Sequence, residues 1–382
     1  LGERFHLDVD PARNIAEMSA GERQRVELLR ALARGARLLI LDEPTAVLTP
    51  PEVVSLMDVL RQLRAEGCGI VLISHRLDEI RQLADRVTVL RAGSEVGTRA
   101  ADSVDADEIA QLMLGELPVE RGLARSRLGD EAKPAGDPVF SLEGVAAPGA
   151  TRRSALRGID LEVRAGEIVG LAGVEGNGQL ELEELLAGER PLAAGRVMVA
   201  GAPVLPSVRS LRREGVAQLA SGRSGLIPGF SVAWNLVGKA SYDRGPFFSR
   251  FRIRRDAVLR HARQTIDTFG IRPEQPEGDA SGLSGGNAQK LVVARELGEA
   301  KRALVAFHPT RGLDFGAARF VRERLAAARE AGLGVLLISA DLDELELLAD
   351  RLFVLSSGRL AAVPKGANRE TIGRLMLGAD PA

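Results

Sequence analysis

Two adjacent carboxylates and a histidine follow short apolar segments near the start of the chain. Asp42 and Glu43 come directly after the apolar residues 38–41, and His75 comes after a second apolar segment at 69–74. Such short apolar segments predict buried parallel strands, and residues just past the carboxyl ends of these strands line the ligand-binding edge of an open α/β sheet. We therefore expect the three side chains at one edge, a set suited to a magnesium nucleotide and an attacking water.

Each of these residues also has a plainer interpretation. Asp42 and Glu43 could simply cap the next element, and a lone histidine after a strand is more often structural than catalytic. The surrounding sequence favours chemistry, because Pro-Thr follows the carboxylates and His75 stands in the segment Ser-His-Arg-Leu-Asp-Glu. In that context we predict that Asp42 holds Mg²⁺, that Glu43 polarises the attacking water and that His75 senses the terminal phosphate.

A small polar segment precedes the carboxylates. Ser19 is followed three residues later by Glu22, the spacing of a capping box at the start of a helix. Taken alone, this spacing indicates a helix start and nothing more. Because Leu-Asp-Glu-Pro-Thr follows at 41–45, the segment favours a nucleotide-binding role for Ser19, Ala20 and Gly21.

The same block of sequence occurs a second time. Ser284 repeats Ser19 at an offset of 265 residues (284 − 19 = 265), and with that offset the segment 77–79 recurs unchanged at 342–344. One register held over such a span predicts two copies of one domain. We define the leading copy as residues 1–116, a Pro- and Gly-rich linker as 117–137 and the trailing copy as 138–382. In the trailing copy the candidate nucleotide-binding residues are Ser284, Gly285 and Gly286.

A glycine-rich segment follows the predicted strand 168–171 of the trailing copy. A phosphate loop of the form Gly-x-x-x-x-Gly-Lys-Ser/Thr binds phosphates through its backbone amides and its lysine, and its hydroxyl ligates Mg²⁺. Here Gln179 replaces the lysine and Leu180 replaces the hydroxyl, so we expect weak and metal-poor nucleotide binding. The candidate phosphate-binding residues are Gly173, Gly176, Asn177, Gly178 and Gln179.

The trailing copy has also lost the acidic residues. Phe307 stands where the leading copy has its Mg²⁺ ligand, His308 where it has its glutamate and Ala340 where it has its histidine. His308 could look catalytic in isolation. With Phe307 beside it and no lysine in the loop, we interpret His308 as structural. The two copies are therefore predicted to be chemically unequal.

Bulk composition describes an ordinary globular chain. It has 382 residues, of which 45% are apolar and 27% charged, and a formal net charge of −1. That charge gives no reason to expect nucleic acid as the main partner. The single cysteine, Cys68, excludes an internal disulfide and fits a reducing compartment. The leading copy's phosphate loop would fall before residue 1 (173 − 265 = −92), so we expect an N-terminally truncated tandem protein.

Together the motifs resemble those of the tandem ATPase subunits of bacterial ABC importers for simple sugars and nucleosides. The resemblance rests on Leu-Ser-Gly-Gly-Asn-Ala-Gln-Lys at 283–290, Pro-Thr-Arg-Gly-Leu-Asp at 309–314 and the matching block of the leading copy. It implies an α/β P-loop NTPase fold with a parallel-rich sheet and a helical subdomain, in one partial and one full copy. It further implies ATP and Mg²⁺ as cofactors and a peripheral place at the cytoplasmic face of the plasma membrane. The implied partners are transmembrane permease subunits and, through them, a solute-binding protein.

In this family two nucleotide domains pair head to tail, and each ATP lies between the phosphate loop of one domain and a short segment of the other, called the signature. The signature begins at Ser19 in the leading copy and at Ser284 in the trailing copy. The resemblance therefore implies one site that joins Asp42, Glu43 and His75 to residues 284–286, and a second that joins the loop 173–180 to residues 19–21. A non-catalytic pseudo-ATPase, or a decayed gene product that only binds permease partners, stays open as the alternative. ABC proteins that act on ribosomes or DNA are disfavoured, because they usually follow Asp-Glu-Pro-Thr with Asn-His-Leu-Asp.

Overall fold

The computed structural model describes residues 2, 9–15, 18, 20–45, 48, 50–74, 77–91, 93–101, 108–109, 112, 136–174, 176–220, 225–243, 246–248, 252–364 and 366–376. The chain divides into two compact units. The first comprises Leu1–Gly122, Val174–Gly176 and Ala367–Ala382, and the second comprises Leu123–Gly173 and Asn177–Gly366. Among the described helices, none has the length and apolar character needed to cross a membrane.

Helices and strands alternate through most of the described chain. The helices are α1 (Ala20–Ala33), α2 (Pro50–Ala65), α3 (Leu77–Leu83), α4 (Gln179–Ala187), α5 (Val208–Arg213), α6 (Val232–Val237), α7 (Arg255–Phe269), α8 (Gly285–Glu299), α9 (Phe315–Glu330), α10 (Leu342–Leu348) and α11 (Arg369–Met376). The strands are β1 (Leu38–Asp42), β2 (Gly69–Ile73), β3 (Arg86–Arg91), β4 (Ser94–Ala100), β5 (Pro138–Ala147), β6 (Leu156–Arg164), β7 (Ile168–Ala172), β8 (Ala194–Val199), β9 (Ala202–Val204), β10 (Val216–Leu219), β11 (Ala303–Phe307), β12 (Gly334–Ser339), β13 (Arg351–Ser356) and β14 (Arg359–Ala362).

The first unit contains two short sheets. Strands β1 and β2 are parallel, with Leu38 opposite Gly69 and Asp42 opposite Ile73, and β3 and β4 form an antiparallel pair. Alternation along the strands places Leu39 in a core with α1 and α2, because successive side chains of a strand point to opposite faces. Helix α11, from the end of the chain, contacts α2. The buried side chains of this core include Leu28, Leu56, Met57, Leu60, Leu63 and Leu83.

The second unit is built on a six-stranded sheet. Its strand order is β10-β11-β12-β7-β13-β14, and every neighbouring pair is parallel except β13 and β14. Strands β7, β11 and β12 are buried along their whole length, as expected for apolar strands that are covered on both faces. A second, antiparallel sheet of order β6-β5-β8-β9 shares a core with the first. Together with a cluster formed by α6, α7 and α8, these sheets confirm the predicted parallel-rich sheet and helical subdomain.

The internal repeat has a direct structural counterpart. Strands β1, β2, β3 and β4 of the leading copy match β11, β12, β13 and β14 of the trailing copy at the 265-residue offset. In the second unit β7 lies between β12 and β13 and pairs with both. In the first unit no described strand holds that position, and β1–β2 and β3–β4 are separate sheets. The boundaries 1–116, 117–137 and 138–382 stay predictions, and most of the linker lies outside the described residues.

Candidate nucleotide-binding sites

The carboxylates of the leading copy lie where β1 ends. Asp42 is the last residue of β1 and is exposed, and the next residue, Glu43, has a left-handed backbone with φ 44°. The Glu43 N–H donates to the carbonyl of Ile73 at 2.8 Å, which joins this turn to the end of β2. A left-handed non-glycine residue costs on the order of 1–3 kcal/mol and persists only where its surroundings enforce it. The turn thus presents Asp42 and Glu43 at the carboxyl edge of the sheet, as predicted.

The trailing copy builds the same turn with different side chains. His308 has φ 41°, and its N–H donates to the carbonyl of Ile338 at 2.8 Å. These are the counterparts of Glu43 and Ile73 at the 265-residue offset. Because the strained backbone is retained while the carboxylate is replaced, the turn itself is a property of the fold, and only the leading copy has a carboxylate at this position.

A glutamine in the helix after each signature holds this turn, which the sequence reasoning missed. The Gln289 amide is fully buried and donates to the carbonyl of Pro309 at 2.8 Å. Its counterpart Gln24 donates to the carbonyl of Pro44. Recurrence of the glutamine at the repeat offset was the signal that could have revealed this role. Through this bond, α1 and α8 each contact the turn that follows the acidic or formerly acidic position.

A second element missed in the sequence is a serine–glutamate pair beside the histidine position. Ser74 Oγ donates to Glu79 Oε2 at 3.0 Å, and Ser339 Oγ donates to Glu344 Oε2 at 2.7 Å. Burial raises the pKa of Glu344, although the nearby Arg322 guanidinium acts in the opposite direction. Each pair holds the serine that precedes the histidine position, Ser74 directly after β2 and Ser339 at the end of β12.

Two predicted residues, Ser19 and His75, lie outside the described residues. Of their neighbours, Ala20 begins α1, and Gly21 is buried where a side chain would collide with Glu52. A Cβ added at Gly21 would come within 2.6 Å of Glu52 Oε1. A larger residue at this position would therefore displace the ends of the Glu52 and Leu48 side chains.

The signature of the trailing copy is described completely. Ser284 is the N-cap of α8, and its Oγ accepts hydrogen bonds from the Asn287 N–H at 3.4 Å and from Asn287 Nδ2 at 2.9 Å. Ser284 and Gly285 are exposed, and Gly286 is half-buried against α9. A helix N-terminus presents backbone N–H groups and the positive end of the helix dipole, which suit a phosphate group. The predicted donors Ser284, Gly285 and Gly286 therefore lie together at one accessible helix end.

The glycine-rich loop of the trailing copy leads into α4. Gly176 and Gly178 have left-handed backbones, with φ 87° and 117°. Asn177, between them, is fully buried, and its Oδ1 accepts from the Ser357 N–H at 3.2 Å and from Arg153 Nε at 3.0 Å. These bonds tie the loop to the turn between β13 and β14. Left-handed glycines of this kind are typical of phosphate loops, and phosphate binding by this segment stays a prediction.

Magnesium fits the leading copy but not the trailing one. Mg²⁺ in nucleotide sites is held by one or two carboxylates together with phosphates and waters, which Asp42 and Glu43 could supply. In the trailing copy, Phe307 is 3% exposed and belongs to the hydrophobic core, and Leu180 projects a 58% exposed aliphatic side chain where the hydroxyl is expected. Neither offers an oxygen ligand. Elsewhere in the described chain, no three His, Cys, Asp or Glu side chains gather as a potential metal site.

In the second unit, a parallel sheet with a left-handed turn at its carboxyl edge, a glycine loop before α4 and a serine at the start of α8 together define an ABC-type nucleotide-binding domain. The sequence model of the ABC transporter family matches residues 2–46 and 156–311, one stretch in each copy. The chain therefore belongs to the ABC transporter family, whose nucleotide-binding domains are ATP-hydrolysing P-loop NTPases. The predicted fold class is confirmed.

Curated relatives match almost the whole chain. The glucose import ATP-binding protein TsgD13 of Haloferax volcanii is 40% identical over 100% of this chain and 70% of its own length. The nucleoside import ATP-binding protein NupA of Lactococcus lactis is 36% identical over 99% of this chain and 74% of its own. The guanosine import ATP-binding protein NupO of Bacillus subtilis shows the same identity and coverage. The resemblance to importer ATPase subunits that the motifs predicted is thus confirmed.

Solved structures show the same fold. The archaeal ribosome recycling factor aABCE1, in complex with the stalk protein aP1, aligns with 98% of this chain and 69% of its own at a TM-score of 0.65 and 19% identity. A nucleotide-free ATP-binding cassette from an ABC transporter aligns with 64% of this chain and 96% of its own at a TM-score of 0.52 and 19% identity. At this identity the likeness concerns the fold alone.

Proposed function

We propose that this chain is the energy-coupling ATPase subunit of an importer for a simple sugar or a nucleoside. The support comes from relatives that are 36–40% identical over nearly the whole chain and are named for glucose, nucleoside and guanosine import. In this role the protein lies at the cytoplasmic face of the plasma membrane, bound to permease subunits that receive the solute from a solute-binding protein.

The leading copy carries hydrolysis in this proposal. The observation that carries it is the left-handed turn common to both copies, which presents Glu43 in one and His308 in the other. Asp42 would hold Mg²⁺, which supplies charge compensation at the phosphates when it is bound. Glu43 accepts a proton from the attacking water, and His75 contacts the γ-phosphate. The trailing copy contributes Ser284, Gly285 and Gly286 as donors to the γ-phosphate of ATP on a facing nucleotide-binding domain.

We further propose that a phosphate-loop βα unit completes the leading copy. Ile40 of β1 is 67% exposed, whereas its counterpart Val305 of β11 is fully buried. In the second unit, β7 pairs with β12 and carries the phosphate loop at its end, and no described strand pairs with the equivalent edge of β2. The exposed apolar side chains on this face of the β1–β2 sheet are Leu38, Ile40, Val71 and Ile73.

The proposal is tested by ATP turnover of the polypeptide extended at its N-terminus by its natural coding sequence. Glu43→Gln should lower turnover by about 10²–10⁴-fold, because it removes the general base while keeping the size of the side chain. His308→Gln alters the same turn of the trailing copy and serves as the matched control, with turnover within about twofold of the parent. Unchanged turnover in the Glu43→Gln protein would refute the catalytic assignment.

A non-catalytic role is the second candidate, and one observation favours it. The leading copy has candidate oxygen ligands for Mg²⁺ in Asp42 and Glu43, whereas the glycine-rich phosphate loop of this sequence lies in the trailing copy. There Phe307 and Leu180 offer no ligand. If the extended polypeptide binds its permease but hydrolyses no ATP with or without that permease, the pseudo-ATPase interpretation replaces the catalytic one.

A further inference from the structure

The side chain of Gln179 is buried in the glycine loop without a hydrogen-bond partner. It is 5% exposed, and neither Nε2 nor Oε1 forms a hydrogen bond among the described residues. The amide lies against Gly173, since a Cβ added there would fall 1.8 Å from Nε2. A buried amide without a partner is unfavourable, because it has lost water and gained nothing in exchange. Its position inside the loop indicates a ligand whose oxygens would accept its N–H groups.

The backbone around this amide suits an anion. Gln179 is the first residue of α4, and the N-cap Gly178 has φ 117° and no side chain to cap the helix. The first N–H groups of such a helix carry partial positive charge and lack partners within the helix. Together with the left-handed Gly176, they keep the geometry that receives phosphates in glycine-rich loops.

A cation is fixed beside the loop by a residue of the loop itself. Arg153 Nε donates to Asn177 Oδ1 at 3.0 Å, and Asn177 is anchored by the Ser357 N–H and by its own carbonyl, which accepts from the Gly358 N–H at 2.9 Å. The Arg153 side chain is exposed, and its described side-chain hydrogen bond is to the amide oxygen of Asn177, which carries no formal charge. A guanidinium held in this way can supply the positive charge that glutamine at position 179 lacks.

The metal has no comparable substitute. Leu180 and Phe307 occupy the two positions from which a hydroxyl and a carboxylate would reach Mg²⁺, and Phe307 is packed in the core cluster with Val305 and Ile338. We propose that the trailing copy binds the phosphates of a nucleoside di- or triphosphate without Mg²⁺, with the Gln179 amide and the Arg153 guanidinium as the donors that act in place of the missing lysine. The inference rests on the nucleotide role proposed above for this loop.

Isothermal titration of the full chain with ATP and with ADP tests the proposal, in buffer with EDTA and in buffer with excess Mg²⁺. The chain carries one glycine loop of this kind, so binding reports on the trailing copy. The dissociation constant should change by less than about threefold between the two buffers, since the trailing copy has no side chain that ligates the metal. Binding that requires Mg²⁺ would overturn the metal-free inference and leave the nucleotide role intact.

Variants of two neighbouring arginines identify the cation. Arg153→Gln should weaken binding by about tenfold, the loss expected for one charge-assisted contact, whereas Arg152→Gln removes an adjacent exposed charge and should leave affinity within about twofold. Arg153→Lys retains the charge and should recover part of the loss. Equal weakening by both glutamine variants would overturn the assignment of Arg153, because the effect would then follow net charge.

The double substitution Gln179→Lys with Leu180→Ser completes the test. It should make binding about tenfold tighter in Mg²⁺ than in EDTA, because a cation and a metal ligand return to the loop. Absence of nucleotide binding in either buffer, by both the parent and this variant, would overturn the inference together with the nucleotide role of the trailing loop. The turnover assigned to Glu43 is measured separately and would stand.

Discussion

Strands β1 and β11 occupy the same place in the two copies, yet their surroundings differ completely. In the trailing copy, four side chains on one face of β11 and β12 are buried beneath the antiparallel sheet, at positions 303, 305, 336 and 338. Their counterparts in the leading copy are exposed: Leu38, Ile40, Val71 and Ile73. The side chains are apolar in both copies. Burial at these positions is therefore decided by what covers the sheet, and in the trailing copy that cover includes β5 and β6 of the antiparallel sheet.

The turn that carries Glu43 or His308 shows the opposite case. Glu43 and His308 share one strained backbone and one hydrogen bond to the neighbouring strand, although one copy offers a carboxylate and the other does not. Here the surroundings are equal and the side chains differ. The two copies thus differ in the burial of one sheet face and in the type of side chain at the turn. Each difference can be altered separately by mutation.

A carboxylate introduced on the sheet face should give the largest difference in stability between the two copies. Val305→Asp places a carboxylate in the core of the second unit and should cost at least about 4 kcal/mol, enough to abolish cooperative unfolding of that unit. Ile40→Asp places the same charge on the exposed counterpart and should change stability by about 0.5 kcal/mol or less. Differential scanning calorimetry measures both. Equal destabilisation would show that the face of β1 is covered in solution.

The turn-holding glutamines should give a smaller effect. Gln289→Ala leaves the buried carbonyl of Pro309 without its donor and should destabilise the second unit by about 1–3 kcal/mol. Gln24 is half-buried, so water can replace its amide in Gln24→Ala, and about 1 kcal/mol or less is expected. Hydrogen exchange of peptides that cover the two turns distinguishes them. If the turn peptides of both variants are protected from exchange as well as those of the parent, the two hydrogen bonds do not hold the turns.

The smallest effect is a pH dependence confined to the second unit. Burial raises the pKa of Glu344 above its model-peptide value of 4.5, so the folded protein retains a proton that the unfolded chain has released. Stability should therefore fall as the pH rises from 4.5 through the raised pKa. Glu344→Gln removes this dependence, and thermal unfolding across that interval measures it. A Glu344→Gln protein whose stability changes with pH in the same way as that of the parent would contradict the assignment.

Sequence alone determined the repeat, the acidic residues of the leading copy and the losses of the trailing one. The residue types at positions 42, 307 and 180 show which copy offers an oxygen ligand and which does not, and an offset shared by many positions needs no coordinates. It also predicted the α/β class, because short apolar segments between helical stretches leave few other arrangements.

Only the tertiary structure decided which apolar strands are covered, which side chains hold the turns and where the amide of Gln179 lies. These properties depend on contacts between residues distant in the chain, such as Gln289 with Pro309 and Asn177 with Ser357. A linear pattern records the periodicity of a strand but not the element that packs on it. For that reason Ile40 and Val305 look alike in sequence and differ entirely in the folded protein.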